Sequence, residues 1–150
     1  MMVRVTWNHA LVAGNLIAAL KARLNRRECE AVPEGFAVHI GDVVRFPDVV
    51  VHPVPMKPRA LQATAPILIA EVLSPSTLPL DFGDKRSEYL SLPSLKAYVI
   101  LSPDERQVWL WQRQGADFPS EPEFIEGADQ QLSLSTLGFE IPFAEIYQGV

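Results

Sequence analysis

The chain is poor in cysteine. Its 150 residues include one cysteine, Cys29, which has no partner for an internal disulfide. A lone thiol is typical of proteins kept in a reducing compartment, so we expect a cytoplasmic protein. No nucleophile motif surrounds Cys29, and we expect it to be a small core residue.

The sequence also has no long hydrophobic run. Its apolar stretches are too short to span a bilayer, and most are broken by proline or a charge. The first seven residues lack the basic-then-apolar layout of a secretory signal. We therefore expect no membrane partner.

Histidines are few and scattered. His9, His39 and His52 lack the close spacing of a zinc site, so we expect structural roles for all three. Ser74 and Ser76 have no nucleophile-elbow glycines near them, which argues against a serine hydrolase.

Positive charge is in the minority, since 13 Lys and Arg face 18 Asp and Glu for a net charge of −5. Residues 1–60 carry +3 (eight basic, five acidic) and residues 61–150 carry −8 (five basic, thirteen acidic). Attraction to phosphate depends on local patches, so DNA remains a possible partner. A solvated helix face is the alternative interpretation of the basic residues on the first predicted helix, which are Lys21, Arg23, Arg26 and Arg27.

The length and the 48% apolar content fit one domain over residues 1–150 with a proper core. Apolar residues at every fourth position predict an amphipathic helix over 8–27, capped by Thr6 or Asn8. A second helix is predicted over 82–91, with Asp81 as its N-cap, after a turn over 74–77. Strands are predicted at 29–32, 36–40, 43–46, 48–52, 67–73, 96–102, 106–113, 123–126 and 132–135, with a hairpin turn at Gly41-Asp42 and a proline-rich loop over 53–66. The pattern indicates an α/β fold.

Two carboxylates interrupt apolar strand-like runs. Asp48 precedes three consecutive valines, and Glu71 follows Ile67-Leu68-Ile69-Ala70. Strand interiors of this kind normally exclude acids, because burying an unpaired carboxylate is very costly. Two such exceptions suggest that both acids converge on a positive group, and a divalent metal ion is the natural candidate.

Nuclease-type hydrolysis also needs a cation that orients water or stabilises the developing charge. Lys85 lies on the helix predicted after the Glu71 strand, and helical spacing places it on one face with Asp81, Glu88 and Tyr89. We expect that face to bring Lys85 close to Glu71.

These segments resemble the Uma-two family of restriction-endonuclease-like proteins, within the PD-(D/E)XK nuclease superfamily. The resemblance runs from His9 to the C-terminal segment, and its most specific part is Glu71-Val72-Leu73-Ser74-Pro75-Ser76-Thr77 followed by Asp81-x-x-x-Lys85. Further matches are Phe46-Pro47-Asp48-Val49-Val50-Val51, Tyr89 and Leu95-Lys96-Ala97-Tyr98-Val99-Ile100. The resemblance implies a restriction-endonuclease-like mixed sheet flanked by helices.

The resemblance also implies a function and a site. The function is a metal-dependent endonuclease that hydrolyses DNA phosphodiester bonds, using Mg²⁺ with Mn²⁺ as a substitute. Asp48 and Glu71 correspond to metal ligands, Val72 to a backbone carbonyl ligand, and Lys85 to the catalytic cation. The superfamily places its lysine two positions after the second acid, where this chain has Leu73, whereas in the Uma-two pattern the lysine lies on the following helix. One small domain leaves little room for a recognition module, so we expect a homodimer.

Several alternatives stay open. The chain as a whole is also compatible with a non-catalytic nucleic-acid-binding or interaction module, or with a metal-dependent hydrolase of a small molecule. Asp48 is a candidate for closing a turn or pairing with Arg45, and Glu71 for a buried ion pair with Lys85. Asp81 fits a helix cap better than a ligand, and Tyr89 fits a core position.

Overall fold

A six-stranded mixed sheet forms the centre of the protein in the computed structural model, which describes residues 4–74 and 78–150. The strand order is β1-β4-β6-β7-β8-β9, and every neighbouring pair is antiparallel except β6 and β7, which are parallel. This sheet confirms the α/β class. Its strands are β1 (Cys29–Pro33), β4 (Val49–Pro53), β6 (Leu68–Val72), β7 (Ala97–Leu101), β8 (Gln107–Gln112) and β9 (Glu123–Glu126).

Within the described parts of the chain, two smaller sheets and four helices surround it. One sheet has the order β3-β2-β5 and the other is the hairpin β10-β11. The elements are α1 (Trp7–Arg23), β2 (Ala37–Ile40), β3 (Val43–Arg45), β5 (Gln62–Ala63), α2 (Leu78–Phe82), α3 (Asp84–Leu90), β10 (Gln131–Leu134), β11 (Phe139–Pro142) and α4 (Phe143–Ile146). Among the described residues, no helix has both the length and the apolar character needed to cross a bilayer.

Strand alternation divides the core between the two faces of the central sheet. On β6, Leu68, Ala70 and Val72 join a cluster with α1, α4 and the β10–β11 hairpin. Ile69 faces the opposite cluster, which includes Tyr89 of α3 and Tyr98 of β7. All five residues of β6 are buried, as expected for a strand in the middle of a sheet.

Helix α1 begins as predicted but ends earlier. The Thr6 side chain accepts a hydrogen bond from the backbone N–H of His9 at 3.1 Å, which makes Thr6 the N-cap. The helix ends at Arg23 rather than at residue 27, because Leu24 is already extended with φ −70° and ψ 145°. Arg26 then turns to Glu30 of β1, with its Nη2 2.8 Å from Oε2.

The basic residues at the end of α1 are mostly paired within the protein. Lys21 Nζ lies 2.9 Å from Glu30 Oε1, and Arg23 Nη2 lies 2.6 Å from Glu145 Oε1. Together with Arg26, these ion pairs connect α1 to β1 and to α4. The cluster is therefore engaged mainly in holding the fold.

The segment after β6 differs from the single predicted helix. Two short helices, α2 and α3, replace it, and Gly83 separates them. A Cβ atom at position 83 would lie 2.8 Å from the Pro79 carbonyl oxygen, so glycine allows the close approach of the two helices. Asp81 lies inside α2, and the predicted cap at Asp81 is wrong, because Gly83 occupies the N-cap position of α3. Residues 75–77 of the predicted turn lie outside the described residues.

Other differences are small. The prediction of a loop throughout 53–66 is wrong at one point, because this segment contains the two-residue strand β5, which pairs in parallel with β2. The tail has the two predicted strands and, in addition, β11 and α4. The hairpin turn at Gly41-Asp42 is confirmed, since Ile40 pairs with Val43. Cys29 is only half-buried, at the edge of the core, and burial raises the pKa of its thiol.

Candidate active site

The register between β4 and β6 brings the two predicted carboxylates together. Val49 pairs with Ala70 in this antiparallel ladder, so the next position outward sets Asp48 opposite Glu71. Directly opposed residues project from the same face of a sheet, with their Cβ atoms about 5 Å apart. Both acids therefore lie at one end of the β4–β6 ladder, on the face that α2 and α3 cover.

A backbone hydrogen bond fixes the Asp48 side chain. The N–H of Val72 donates to Asp48 Oδ2 at 2.7 Å, and the Asp48 side chain is 12% exposed. Arg45 does not pair with Asp48, because its guanidinium binds both carboxylate oxygens of Glu88 at 2.7 and 2.9 Å. The alternative in which Asp48 pairs with Arg45 is therefore wrong.

Glu71 is buried, with only 4% of its surface exposed. The Tyr89 hydroxyl donates to Glu71 Oε1 at 2.9 Å, and Lys85 Nζ lies 3.6 Å from the same oxygen. Burial raises the pKa of the Glu71 carboxyl to about 8, and the charges of Asp48 and Asp81 add to the effect against the opposing pull of Lys85. The site thus holds an acid that is costly to ionise without an added cation.

Lys85 lies among the acids, as the sequence predicts. Its Nζ is 2.9 Å from Asp81 Oδ1 and its side chain is 13% exposed. Burial lowers the pKa of Lys85, but Glu71, Asp81 and Asp48 outweigh burial and leave the pKa raised, so the side chain stays an ammonium. The alternative ion pair between Glu71 and Lys85 is also present in this geometry.

His9 belongs to the same cluster, a position that the sequence analysis did not predict. It lies in the first turn of α1, 7% exposed, with Nε2 3.5 Å from Asp48 Oδ2. Burial lowers the pKa of His9, but the Asp48 carboxylate and the Val72 carbonyl outweigh it and raise the pKa overall. One sequence signal would have found it: His9 continues the apolar stripe that Val12 and Leu16 form on the buried side of α1.

Tyr89 and Asp81 also contact the site. Tyr89 is fully buried, as expected for a core residue, but its hydroxyl binds Glu71. Asp81 is fully buried too, and its backbone carbonyl accepts a hydrogen bond from the Tyr98 hydroxyl at 3.0 Å. The i, i+4 spacing from Asp81 through Lys85 to Tyr89 is the signal that links all three.

The other two histidines lie apart from this cluster. His52 is a structural residue whose Nε2 accepts hydrogen bonds from the backbone N–H groups of Thr64 and Ala65, at 3.0 and 2.9 Å. His39 is exposed on β2. The expected structural role is thus confirmed for His52.

Comparison with known proteins agrees with this architecture. A family model described as "putative restriction endonuclease", Uma2, matches residues 1–144. The chain belongs to the Uma2 family. An uncharacterized protein of Synechocystis sp. is 27% identical over 146 residues, which cover 95% of this chain and 76% of the relative.

A solved structure supports the fold. The crystal structure of a "putative nuclease belonging to DUF820" from Anabaena variabilis superposes with a TM-score of 0.77 at 17% identity. The match covers 97% of this chain and 83% of that one. The Uma2 chain therefore has a nuclease-like fold, in a family of restriction-endonuclease-like proteins that generally use divalent metal ions.

The donor groups of the Uma2 site fit a hard divalent cation held in an open site. Within residues 4–74 and 78–150, no three His, Cys, Asp or Glu side chains are gathered as a ready metal cage. Mg²⁺ does not need one, since proteins usually bind it through one or two carboxylates and leave other positions to water and phosphate. Three acids, Asp48, Glu71 and Asp81, share two basic groups, Lys85 and His9, and His9 lies beside Asp48, so Glu71 is left with a deficit of positive charge.

This deficit predicts the effect of Glu71→Gln on stability. The pKa of Glu71 is about 8 in the folded protein and near 4.5 when unfolded, so the folded state holds the extra proton between these values. Wild-type stability attributable to Glu71 is therefore lost as pH rises from 4.5 to 8. We expect metal-free Glu71→Gln to be more stable than wild type at pH 8–9, with the difference shrinking toward pH 4.5 in thermal unfolding.

Glu88→Gln is the matched control for this pH series. Arg45 lowers the pKa of Glu88, so its contribution has the opposite sign and is present at neutral pH. Glu88→Gln is expected to be less stable than wild type at pH 7, with the difference vanishing in acid. A Glu71→Gln protein that is less stable than wild type at pH 8–9 would make Glu71 a structural ion-pair partner of Lys85.

Proposed function

We propose that this Uma2 protein is a metal-dependent endonuclease that hydrolyses DNA phosphodiester bonds. The observation that carries the proposal is the pair of opposed carboxylates, Asp48 and Glu71, with the Lys85 ammonium 3.6 Å from Glu71. The family and the fold support the nuclease class. We further propose that residues 1–150 form a single nuclease domain that acts in the cytoplasm.

Asp48, Glu71 and the backbone carbonyl of Val72 are the ligands we assign to the cation. When bound, Mg²⁺, or Mn²⁺ in its place, supplies Lewis-acid activation of water and neutralises charge on the scissile phosphate. The Val72 N–H holds Asp48 in its orientation at 2.7 Å. Tyr89 does the same for Glu71, because its hydroxyl donates to Oε1 at 2.9 Å.

We assign Lys85 to orienting the attacking water and to stabilising the negative charge that develops during the reaction. Its ammonium is fixed from one side by Asp81 at 2.9 Å and lies 3.6 Å from Glu71 on the other. A preorganised cation in a poorly solvated site stabilises charge strongly, because no reorganisation is needed during the reaction.

The basic residues near the end of α1 are poor candidates for the DNA contacts. Lys21 and Arg26 are bound to Glu30, and Lys21 lies 12 positions beyond His9 on α1 (21 − 9), or about 18 Å along the helix axis. Arg86 is better situated, because it follows Lys85 on α3 and makes no ion pair among the described residues. We assign Arg86 to a phosphate of the DNA backbone.

Cutting both strands of a duplex requires two such sites, since each chain carries one. A two-fold symmetric homodimer supplies two sites in opposite orientation, which matches the antiparallel strands of DNA. We therefore keep the homodimer as part of the proposal.

The direct test is cleavage of supercoiled plasmid with Mg²⁺, with Mn²⁺ and with chelator. We expect nicked or linear product only with a divalent ion. Asp48→Asn keeps an oxygen for the Val72 N–H but removes the charge, so it is expected to lose both cleavage and calorimetric Mn²⁺ binding. Asp42→Asn, in the exposed hairpin turn, is the control that keeps both.

Two results would replace the proposal. Metal binding with DNA binding but no cleavage would indicate a non-catalytic module. Hydrolysis of a small phosphodiester such as bis(p-nitrophenyl) phosphate, without DNA binding, would indicate a small-molecule hydrolase.

Lys85→Met tests the assigned cation. Methionine keeps much of the apolar stem and removes only the charge, so the variant is expected to fold and to bind Mn²⁺. Its cleavage rate is expected to fall by roughly a hundredfold or more, the scale of losing one electrostatic stabiliser. Lys57→Met, at an exposed loop position, is the control. Full activity in well-folded Lys85→Met would mean that Arg86 or Lys96 supplies the catalytic cation instead.

Arg86→Ala tests the phosphate contact. DNA binding is expected to depend steeply on salt, because each phosphate contact releases counterions. Removing one contact lowers the slope of log affinity against log salt by about 1. Arg26 is held by Glu30, so Arg26→Ala is expected to leave the slope unchanged. If Arg26→Ala lowers the slope and Arg86→Ala does not, the DNA-binding surface lies at the end of α1.

A further inference from the structure

We propose that His9 is a third side-chain ligand of the cation, through Nε2, and that this nitrogen gives the site a preference for Mn²⁺ over Mg²⁺. The proposal rests on the proposed function, because it concerns the same site, but it adds a ligand that the sequence analysis did not assign. It also changes which metal the site is built for.

The spacing of His9 and Asp48 fits two ligands of one ion. Nε2 lies 3.5 Å from Asp48 Oδ2. Adjacent ligands of an octahedral ion with bonds of about 2.1 Å are about 3 Å apart, so a small adjustment brings both atoms to one cation. The Val72 carbonyl, which we assign as the backbone ligand, also acts on this imidazole.

One ring nitrogen of His9, Nδ1, lacks the partner that a structural histidine has. His52 shows the contrast, since its Nε2 accepts two backbone N–H groups and its Nδ1 lies 2.8 Å from the Pro53 carbonyl oxygen. In His9, Nδ1 is buried without a hydrogen-bond partner among the described residues, and the distance from Nε2 to Asp48 is at the outer limit of a hydrogen bond. A buried imidazole with one nitrogen unsatisfied and the other 3.5 Å from a carboxylate is suited to a cation.

The fold holds His9 in place. Its backbone N–H is bound to the Thr6 cap, and Val12 and Leu16 on the same side of α1 are fully buried in the core. The imidazole is therefore carried to Asp48 by the packing of a whole helix rather than by a loop.

A nitrogen ligand changes the metal preference of the site. Mg²⁺ strongly favours oxygen ligands, whereas imidazole is a common ligand of first-row transition metals. Two carboxylates, one carbonyl and one imidazole form a mixed set that Mn²⁺ accepts more readily than Mg²⁺ does.

Pulsed electron paramagnetic resonance of the Mn²⁺-loaded full chain tests this directly. A directly bound imidazole gives nitrogen-14 modulation, and we expect it in wild-type protein. Growth with nitrogen-15 histidine is expected to replace that pattern, which assigns it to histidine without any mutation. His9→Gln is expected to abolish the modulation, and His39→Ala, at an exposed site, is expected to keep it.

Competition calorimetry is the second readout. We expect wild-type protein to bind Mn²⁺ more tightly than Mg²⁺, and His9→Gln to lower the ratio of the two affinities by about tenfold, a scale at which single groups around a metal act. Circular dichroism on the same samples checks that the variant is folded.

The failures of the two proposals are distinguishable. Mn²⁺ binding that requires Asp48 but shows no histidine modulation overturns the role of His9 and leaves the nuclease proposal intact. Modulation that survives in folded His9→Gln also overturns the role of His9. Absence of any Mn²⁺ binding in wild-type protein overturns both.

Discussion

The hydrogen bond from the Val72 N–H to Asp48 Oδ2 is the contact on which the site depends. It ends the ladder between β4 and β6, and it holds the carboxylate that the register sets opposite Glu71. A register shift of one residue would turn one acid to the other face of the sheet. The buried valines of β4 and the apolar residues of β6 prevent that shift, because both faces of these strands are packed. The hydrophobic core thus determines the geometry of a polar site.

The same core makes the site electrostatically costly. Glu71 is buried among Ile69, Tyr98 and Ile100, and burial raises the pKa of its carboxyl to about 8. Lys85 relieves part of the cost, but it is shared with Asp81. A purely structural ion pair would place one base against one acid. Here acids outnumber bases, and the excess lowers the stability of the fold. Functional sites commonly retain a cost of this kind.

The strands were predictable because their apolar runs are short and bounded by turn residues, and Asp48 and Glu71 were conspicuous as exceptions within them. The position of His9 beside Asp48 was not predictable from the spacing of the two residues, since 39 positions separate them (48 − 9) and the packing of α1 on β6 brings them together. The ion pairs of the basic residues at the end of α1 were not predictable either, because sequence does not reveal that Glu30 and Glu145 lie within reach. Long-range pairing is what local patterns leave out.

The position of the lysine follows from the packing of the second face. At position 73, where the superfamily pattern has its lysine, Leu73 is buried in the apolar cluster with Ile69 and Tyr98, and a charge there would be poorly solvated. Lys85 instead reaches Glu71 from α3, which is separated from α2 by the helix break at Gly83. A side chain at Gly83 would collide with the Pro79 carbonyl, so the α2–α3 junction that sets the Asp81–Lys85 pair requires glycine. The lysine, the break and the apolar residue at position 73 are therefore one structural solution rather than three independent features.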